Sequence, residues 1–132
     1  MPTISVPLPA ALGLVAAGGA VGSVVRYLIN AAATSMSTRF PYATLFANAL
    51  GCFLAGILLF FVMQRDQPSL HLRLLLATGF LGGLTTFSAF GFETVQLFLR
   101  GQIPAAFLNI AANVALSLGA VFLGFAAARA LA

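Results

Sequence analysis

The 132-residue chain is 61% hydrophobic, has a mean hydropathy of +1.09 and carries only six basic and two acidic side chains. A water-soluble domain would be about one quarter charged, so the composition excludes that class and makes a lipid bilayer the solvent. The net charge of +4 rests on six scattered arginines, with no basic cluster and interleaved aromatic residues to make a nucleic-acid surface.

Four segments reach the roughly 20 residues that cross about 30 Å of hydrocarbon: 10–33, 42–63, 72–98 and 105–130. Short polar connections join them, which predicts a single four-helix transmembrane domain over residues 1–132 and an all-α membrane protein. Residues 1–10 carry no positive side chain, and the apolar run after them is too long for a signal-peptide core. The first segment is therefore read as a retained span. It holds Gly18 and Gly22 at the spacing of close helix packing. Arg26, in Gly22-Ser23-Val24-Val25-Arg26-Tyr27, either snorkels to the interface or makes a vestibule attractive to anions.

On the second span Thr44 and Asn48 are one turn apart. An amide at that depth needs partners, and Asn48 is either interhelical glue or a pore donor. Ala47 and Gly51 repeat the small-residue spacing. Cys52, the only cysteine, makes no intrachain disulfide and reads as a packing residue.

The third span is the most informative. Between Gly79 and Gly91 stand Gly82, Gly83, Thr85, Thr86 and Ser88, with Phe80, Phe87 and Phe90. A spanning helix satisfies its own backbone, and hydrocarbon supplies no water to replace a lost bond. Gly-Gly-Leu-Thr-Thr predicts a break in mid-membrane, and interrupted helices present backbone groups to ions. Phe87 and Phe90 share the face that follows, and aromatic edges are electropositive. Glu93 is the only acid inside any span; it is functional, or lines a wet mouth beside the vestibule. The fourth span aligns Asn109, Asn113 and Ser117 at successive i, i+4 positions on one stripe, which faces protein or water.

Charge hardly orients the chain. Arg65, Arg73 and Arg129 fall on one side, Arg39 and Arg100 on the other, with Arg26 near the latter. The positive-inside rule needs a bias. A chain without one can insert both ways and pair as an antiparallel dimer, although slight biases also orient many proteins.

These residues resemble the Fluc-type (CrcB-like) fluoride channels over essentially the whole chain. The match is carried by Gly22 to Arg26, by Thr44-Leu45-Phe46-Ala47-Asn48 with Gly51, and by Gly79 to Phe90 followed by Glu93-Thr94-Val95. The resemblance implies four helices per subunit, an antiparallel dual-topology homodimer and two fluoride pathways. It also implies a structural sodium ion at the dimer centre, held by backbone carbonyls that here belong to Gly82 and Thr85. By the same resemblance Asn48, Phe87, Phe90, Ser88, Asn113 and Ser117 line the fluoride pathway. Two positions depart from the family pattern: Ala89 stands where a hydroxyl residue is common, and Asn113 where a serine-like hydroxyl is usual.

The chemistry agrees. Fluoride is small and strongly hydrated, so a selective path replaces its water with donors that do not hold it too tightly. The expected function is passive, fluoride-selective export across the cell membrane (the inner one where there are two), with no enzyme activity: His71 is a lone loop histidine without a catalytic partner. The alternative is a small proton-coupled multidrug transporter, which wants a carboxylate in its first helix; residues 10–33 contain none. A non-transporting assembly subunit explains the small residues but not the break.

Overall fold

Pro7 forms the extended entry to the first helix, and the computed structural model describes residues 6–34, 39–64 and 69–132. Helix α1 (Leu8–Ala33) carries Pro9 in its first turn, where a missing N–H costs nothing. It closes at Thr34, whose hydroxyl donates to the Asn30 carbonyl at 2.9 Å. Helix α2 (Tyr42–Met63) follows Pro41.

The third span has three parts. Ser69 caps its start, with Oγ accepting the Leu72 N–H at 3.4 Å. The helix α3 (residues 70–84) is π-helical from Arg73 to Leu81 and returns to α geometry over Gly82–Leu84. Thr85 (φ −84°, ψ 156°) and Thr86 (φ −152°, ψ 118°) are extended, and helix α4 (Phe87–Leu99) begins after them. Gly101, at φ 72°, ends α4. There Gln102 N–H reaches the Leu97 carbonyl at 2.9 Å and Gly101 N–H the Phe98 carbonyl at 3.0 Å, the paired bonds of a left-handed helix C-terminus. Helix α5 (Ile103–Leu131) starts with Pro104 in its first turn.

Four spans are long and apolar enough to cross a membrane: Leu8–Ala33, Tyr42–Met63, Leu70–Leu99 and Ile103–Leu131. Three of them start two residues before the sequence-based bounds. Helix α1 already begins before Pro9 and α5 before Pro104, because proline fits just inside a helix start; Ser69 draws the third start back, so His71 lies in a helical turn. Of the loop charges, Arg65 and Asp66 lie outside the described residues.

Backbones pack in two pairs, α1 against α3 and α2 against α5. A Cβ on Gly18 would meet the Leu75 carbonyl, and one on Gly22 the Phe80 carbonyl. Gly18 and Gly22 are one α-turn apart, while Leu75 and Phe80 are five residues apart, one π-turn. The widened helix thus matches its carbonyls to the glycine face of α1. Across the other pair, a Cβ on Gly56 would strike the Val121 carbonyl and one on Gly124 the Phe53 carbonyl. The interior formed in this way is partly polar: Thr44, Thr86, Thr94, Asn109 and Asn113 are buried, while Phe46, Phe92, Phe107 and Phe122 are exposed. That distribution suits a chain whose surroundings are hydrocarbon rather than water.

Candidate functional site

The two extended threonines set the site. Thr86 N–H, the donor that would close a helical turn onto the Gly82 carbonyl, donates instead to Asn48 Oδ1 at 2.8 Å. Ala89 N–H, which would close onto the Thr85 carbonyl, donates to Thr86 Oγ1 at 3.1 Å and caps α4. Both carbonyls are left without their helical donors. Thr85 N–H and Oγ1 both return to the Leu81 carbonyl, at 3.0 and 2.9 Å. Gly51 is buried against the Thr85 methyl and Leu84, which lets α2 approach the interruption.

Asn48 answers the non-helical peptide of Thr86 at two points. Besides accepting its N–H, Asn48 Nδ2 donates to the Thr86 carbonyl at 3.2 Å and to Asn113 Oδ1 at 3.1 Å. Asn113 Nδ2 in turn reaches Asn109 Oδ1 at 2.9 Å and the Asn109 carbonyl at 3.0 Å. Asn109 Nδ2 donates to Thr94 Oγ1 at 2.9 Å, and Thr94 Oγ1 to the Phe90 carbonyl at 2.7 Å. An amide buried in hydrocarbon is expensive unless each polar atom has a partner; here the three asparagines partner one another.

Beside this network lies a cavity of about 370 Å³ lined by Asn48, Cys52, Thr85, Thr86, Phe87, Phe90, Asn113, Val114, Ser117 and Leu118. Among the described residues, no charged side chain is in its wall. Of the residues assigned from sequence to the pathway, Asn48, Phe87, Phe90, Asn113 and Ser117 meet here. Ser88 stands outside the wall, its Oγ 3.2 Å from Thr86 Oγ1. The Phe87 and Phe90 rings lie 5.2 Å apart at 52°, and Phe87 is 83% exposed. The Ser117 side chain has no hydrogen-bond partner among the described residues, so its hydroxyl is available to the cavity.

The two charged residues assigned to a vestibule lie elsewhere. Glu93 Oε1 accepts from Thr44 Oγ1 at 2.6 Å, and Oε2 is buried without a partner. Arg26 is half-buried on α1, and its carbonyl accepts from Asn30 Nδ2 at 3.0 Å. Neither lines the cavity. Sequence reasoning missed three contributors. Thr86 was treated only as part of the break, Thr94 only as part of a motif, and Cys52 as packing. A signal existed for Cys52, one turn beyond Asn48 on the same face. For Thr94 there was none, since the Asn109 amide it accepts from is on another helix.

Four apolar spans, three of which line an uncharged cavity at a helix interruption, make this a multi-pass cell-membrane protein of the ion-transport class. Residues 13–125 match the family model described as CrcB-like protein, Camphor Resistance (CrcB), and the chain belongs to that family. It is similar to a protein of Rhizobium etli named fluoride-specific ion channel FluC, 50% identical over 119 residues, which cover 89% of this chain and 95% of that one. Proteins of the same name from Dehalococcoides mccartyi and Agrobacterium fabrum are 47% and 44% identical, covering 84% and 91% of this chain and 86% and 97% of theirs. The family is one of ion channels, not enzymes.

Proposed function

We propose that the protein is a passive, fluoride-selective channel that exports cytoplasmic fluoride, built as an antiparallel dual-topology homodimer. The observation that carries this reading is the uncharged cavity in which Asn48, Asn113 and Ser117 face the Phe87 and Phe90 pair. Hydroxyl and amide donors with aromatic edges can replace fluoride's water, and the absence of a fixed charge lets the ion leave. Asn48 and Asn113 already give their N–H groups to protein acceptors, so a passing anion shares those bonds, while Ser117 offers a hydroxyl outright. Ser88, beside Thr86 Oγ1, adds a donor at the cap of α4. The names of the relatives, fluoride-specific ion channels, support the choice of anion.

Phe87 lies open at the surface of the single chain, which favours a second copy closing the path. Glu93 and Arg26, away from the wall, serve its mouth. Residues Gly82 and Thr85 fit a structural sodium, because their carbonyls lack helical donors and unpaired carbonyls at membrane depth need a partner. Neutral oxygens with no carboxylate suit a monovalent ion better than calcium or magnesium. When bound, the ion adds positive potential near the break and joins the two interrupted helices. Proton-coupled multidrug transport is disfavoured, since α1 has no carboxylate and Glu93, held by Thr44, is outside the cavity wall.

The deciding experiment is efflux from liposomes holding the purified protein. A fluoride gradient should discharge without a proton gradient, and chloride should remain inside. Equal chloride efflux, or fluoride movement that requires a proton gradient, overturns the reading.

A further inference from the structure

One series of hydrogen bonds through α2, α4 and α5 runs in a single direction, beside the Asn48-to-Thr86 carbonyl and Thr44-to-Glu93 bonds. Thr86 N–H donates to Asn48, Asn48 to Asn113, Asn113 to Asn109, Asn109 to Thr94, and Thr94 to the Phe90 carbonyl. The first group is a backbone N–H, which only donates, and the last is a backbone carbonyl, which only accepts. Between these ends each asparagine amide has a single permitted orientation. Turning any one of them sets nitrogen against nitrogen or oxygen against oxygen. The relay leaves α4 at its cap, crosses to α2 and α5, returns to α4 at Thr94 about two turns on, and steps back to the Phe90 carbonyl one turn from the cap. Its two ends therefore bracket the turn that carries Phe87 and Phe90.

Thr94 and Asn109 belong to this relay but not to the cavity wall. They are 6% and 0% exposed, so neither meets a passing ion. We infer that Thr94 and Asn109 are positioning residues, which anchor the far end of the relay and so hold the amides of Asn113 and Asn48, and the aromatic turn, in the orientation the pathway uses. Without the Thr94 hydroxyl, Asn109 Nδ2 is buried with no acceptor, and the Asn109 backbone carbonyl is the only group left at that end to oppose a turned Asn113 amide. Each turned amide places a carbonyl oxygen where a donor stood, and an oxygen repels an anion. Aligned bonds also polarise one another in a low-dielectric interior, so the loss at Thr94 reaches Asn48 through two intermediates. The role assigned rests on the fluoride-channel reading, whereas the relay itself can be tested apart from transport.

The test uses the full chain in liposomes and, in parallel, the ¹⁵N-labelled protein for side-chain amide spectra. Thr94→Val keeps the shape and removes the hydroxyl; it should lower fluoride efflux about three- to tenfold, the range of one side-chain bond within a membrane. It should also shift the Asn48 and Asn113 NH₂ resonances. Thr94→Ser restores the hydroxyl and should return both efflux and spectra to the parent's, which a purely space-filling role for Thr94 would not require. Asn109→Leu is the second variant, removing the relay's middle from the other helix with the same expected result. In the parent, the Asn48 and Asn113 NH₂ protons should exchange slowly with deuterium. Parent-level fluoride efflux in Thr94→Val or Asn109→Leu overturns the inference, as does failure of Thr94→Ser to rescue. Fast exchange in the parent overturns it without any variant having to fold. A parent that moves no fluoride while its amide protons stay protected sinks the channel reading and leaves the relay standing.

Discussion

Replacing Asn48 by leucine keeps roughly the side-chain volume and removes every polar contact that α2 makes with the interruption. Three bonds disappear together: from Thr86 N–H at 2.8 Å, to the Thr86 carbonyl at 3.2 Å and to Asn113 Oδ1 at 3.1 Å. Two magnitudes compete. In water-soluble proteins each stranded buried group costs about 1–3 kcal/mol, whereas side-chain bonds within membranes average about 0.6 and reach about 1.7 kcal/mol. The membrane values govern here, because an unfolded span in lipid also finds partners, giving about 2 kcal/mol and at most about 5. Thr86 is only 9% exposed, so water does not readily replace the lost amide, and the upper half of that range is expected. Reversible unfolding in mixed micelles, with secondary structure as the readout, measures the difference. Liposome efflux of the same protein should be abolished. A variant within about 0.5 kcal/mol of the parent, the scatter of an indifferent surface change, would refute the reasoning, and the Asn48–Thr86 pairing would not hold the interruption.

The aromatic pair gives a contrasting case: Phe87→Ile or Phe90→Ile should cut fluoride efflux strongly. Parent-level flux in both variants makes the rings packing residues. Gly22→Ala should destabilise by about 1–3 kcal/mol, the cost of overpacking, because its Cβ would meet the Phe80 carbonyl, while Gly13→Ala, with nothing within 4 Å, should not. Thermal unfolding of the two side by side checks this, and equal midpoints contradict the packing. Exchanging sodium for a large organic cation should weaken the proposed dimer on size-exclusion chromatography and lower flux together. Gly82→Leu should do the same without sodium exchange, since a Cβ at Gly82 meets only the Ala77 carbonyl, at 3.9 Å, within the single chain. Unchanged dimer and flux in both experiments remove the sodium proposal.

Particular residues show what the sequence could and could not reveal. The spans were legible because charge is so scarce that Arg39, Arg73 and Arg100 punctuate them, and proline and serine moved the boundaries by no more than a turn. The stripe of Asn109, Asn113 and Ser117 was legible as a stripe, because i, i+4 spacing is a property of one helix. The different fates of its members were not: Asn109 is sealed in, Asn113 touches the cavity, and Ser117 keeps a hydroxyl for it. Those differences depend on Thr94 and Asn48, on other helices, and no periodicity reports a contact between helices. The π-helical stretch Arg73–Leu81 was equally hidden. In Arg-Leu-Leu-Leu-Ala-Thr-Gly-Phe-Leu nearly every side chain is apolar, so a change of helical period leaves no pattern to read. Whether Asn48 is glue or donor was open from spacing, and the geometry gives it three protein partners while still placing it on the cavity wall.

The backbone-to-backbone seams between α1 and α3 and between α2 and α5 bear on how such a chain can drift over generations. Positions that look outward, such as Phe122 or Leu131, ask only for something oily and can be rewritten freely. Gly18, Gly22, Gly56 and Gly124 admit no such drift, because the next atom out is a carbonyl that cannot step aside. A saturation library selected for growth in fluoride should therefore lose almost every substitution at these four sites and tolerate most apolar ones at the outward positions. The tightest sequence constraint on the molecule would then fall on residues with no side chain at all.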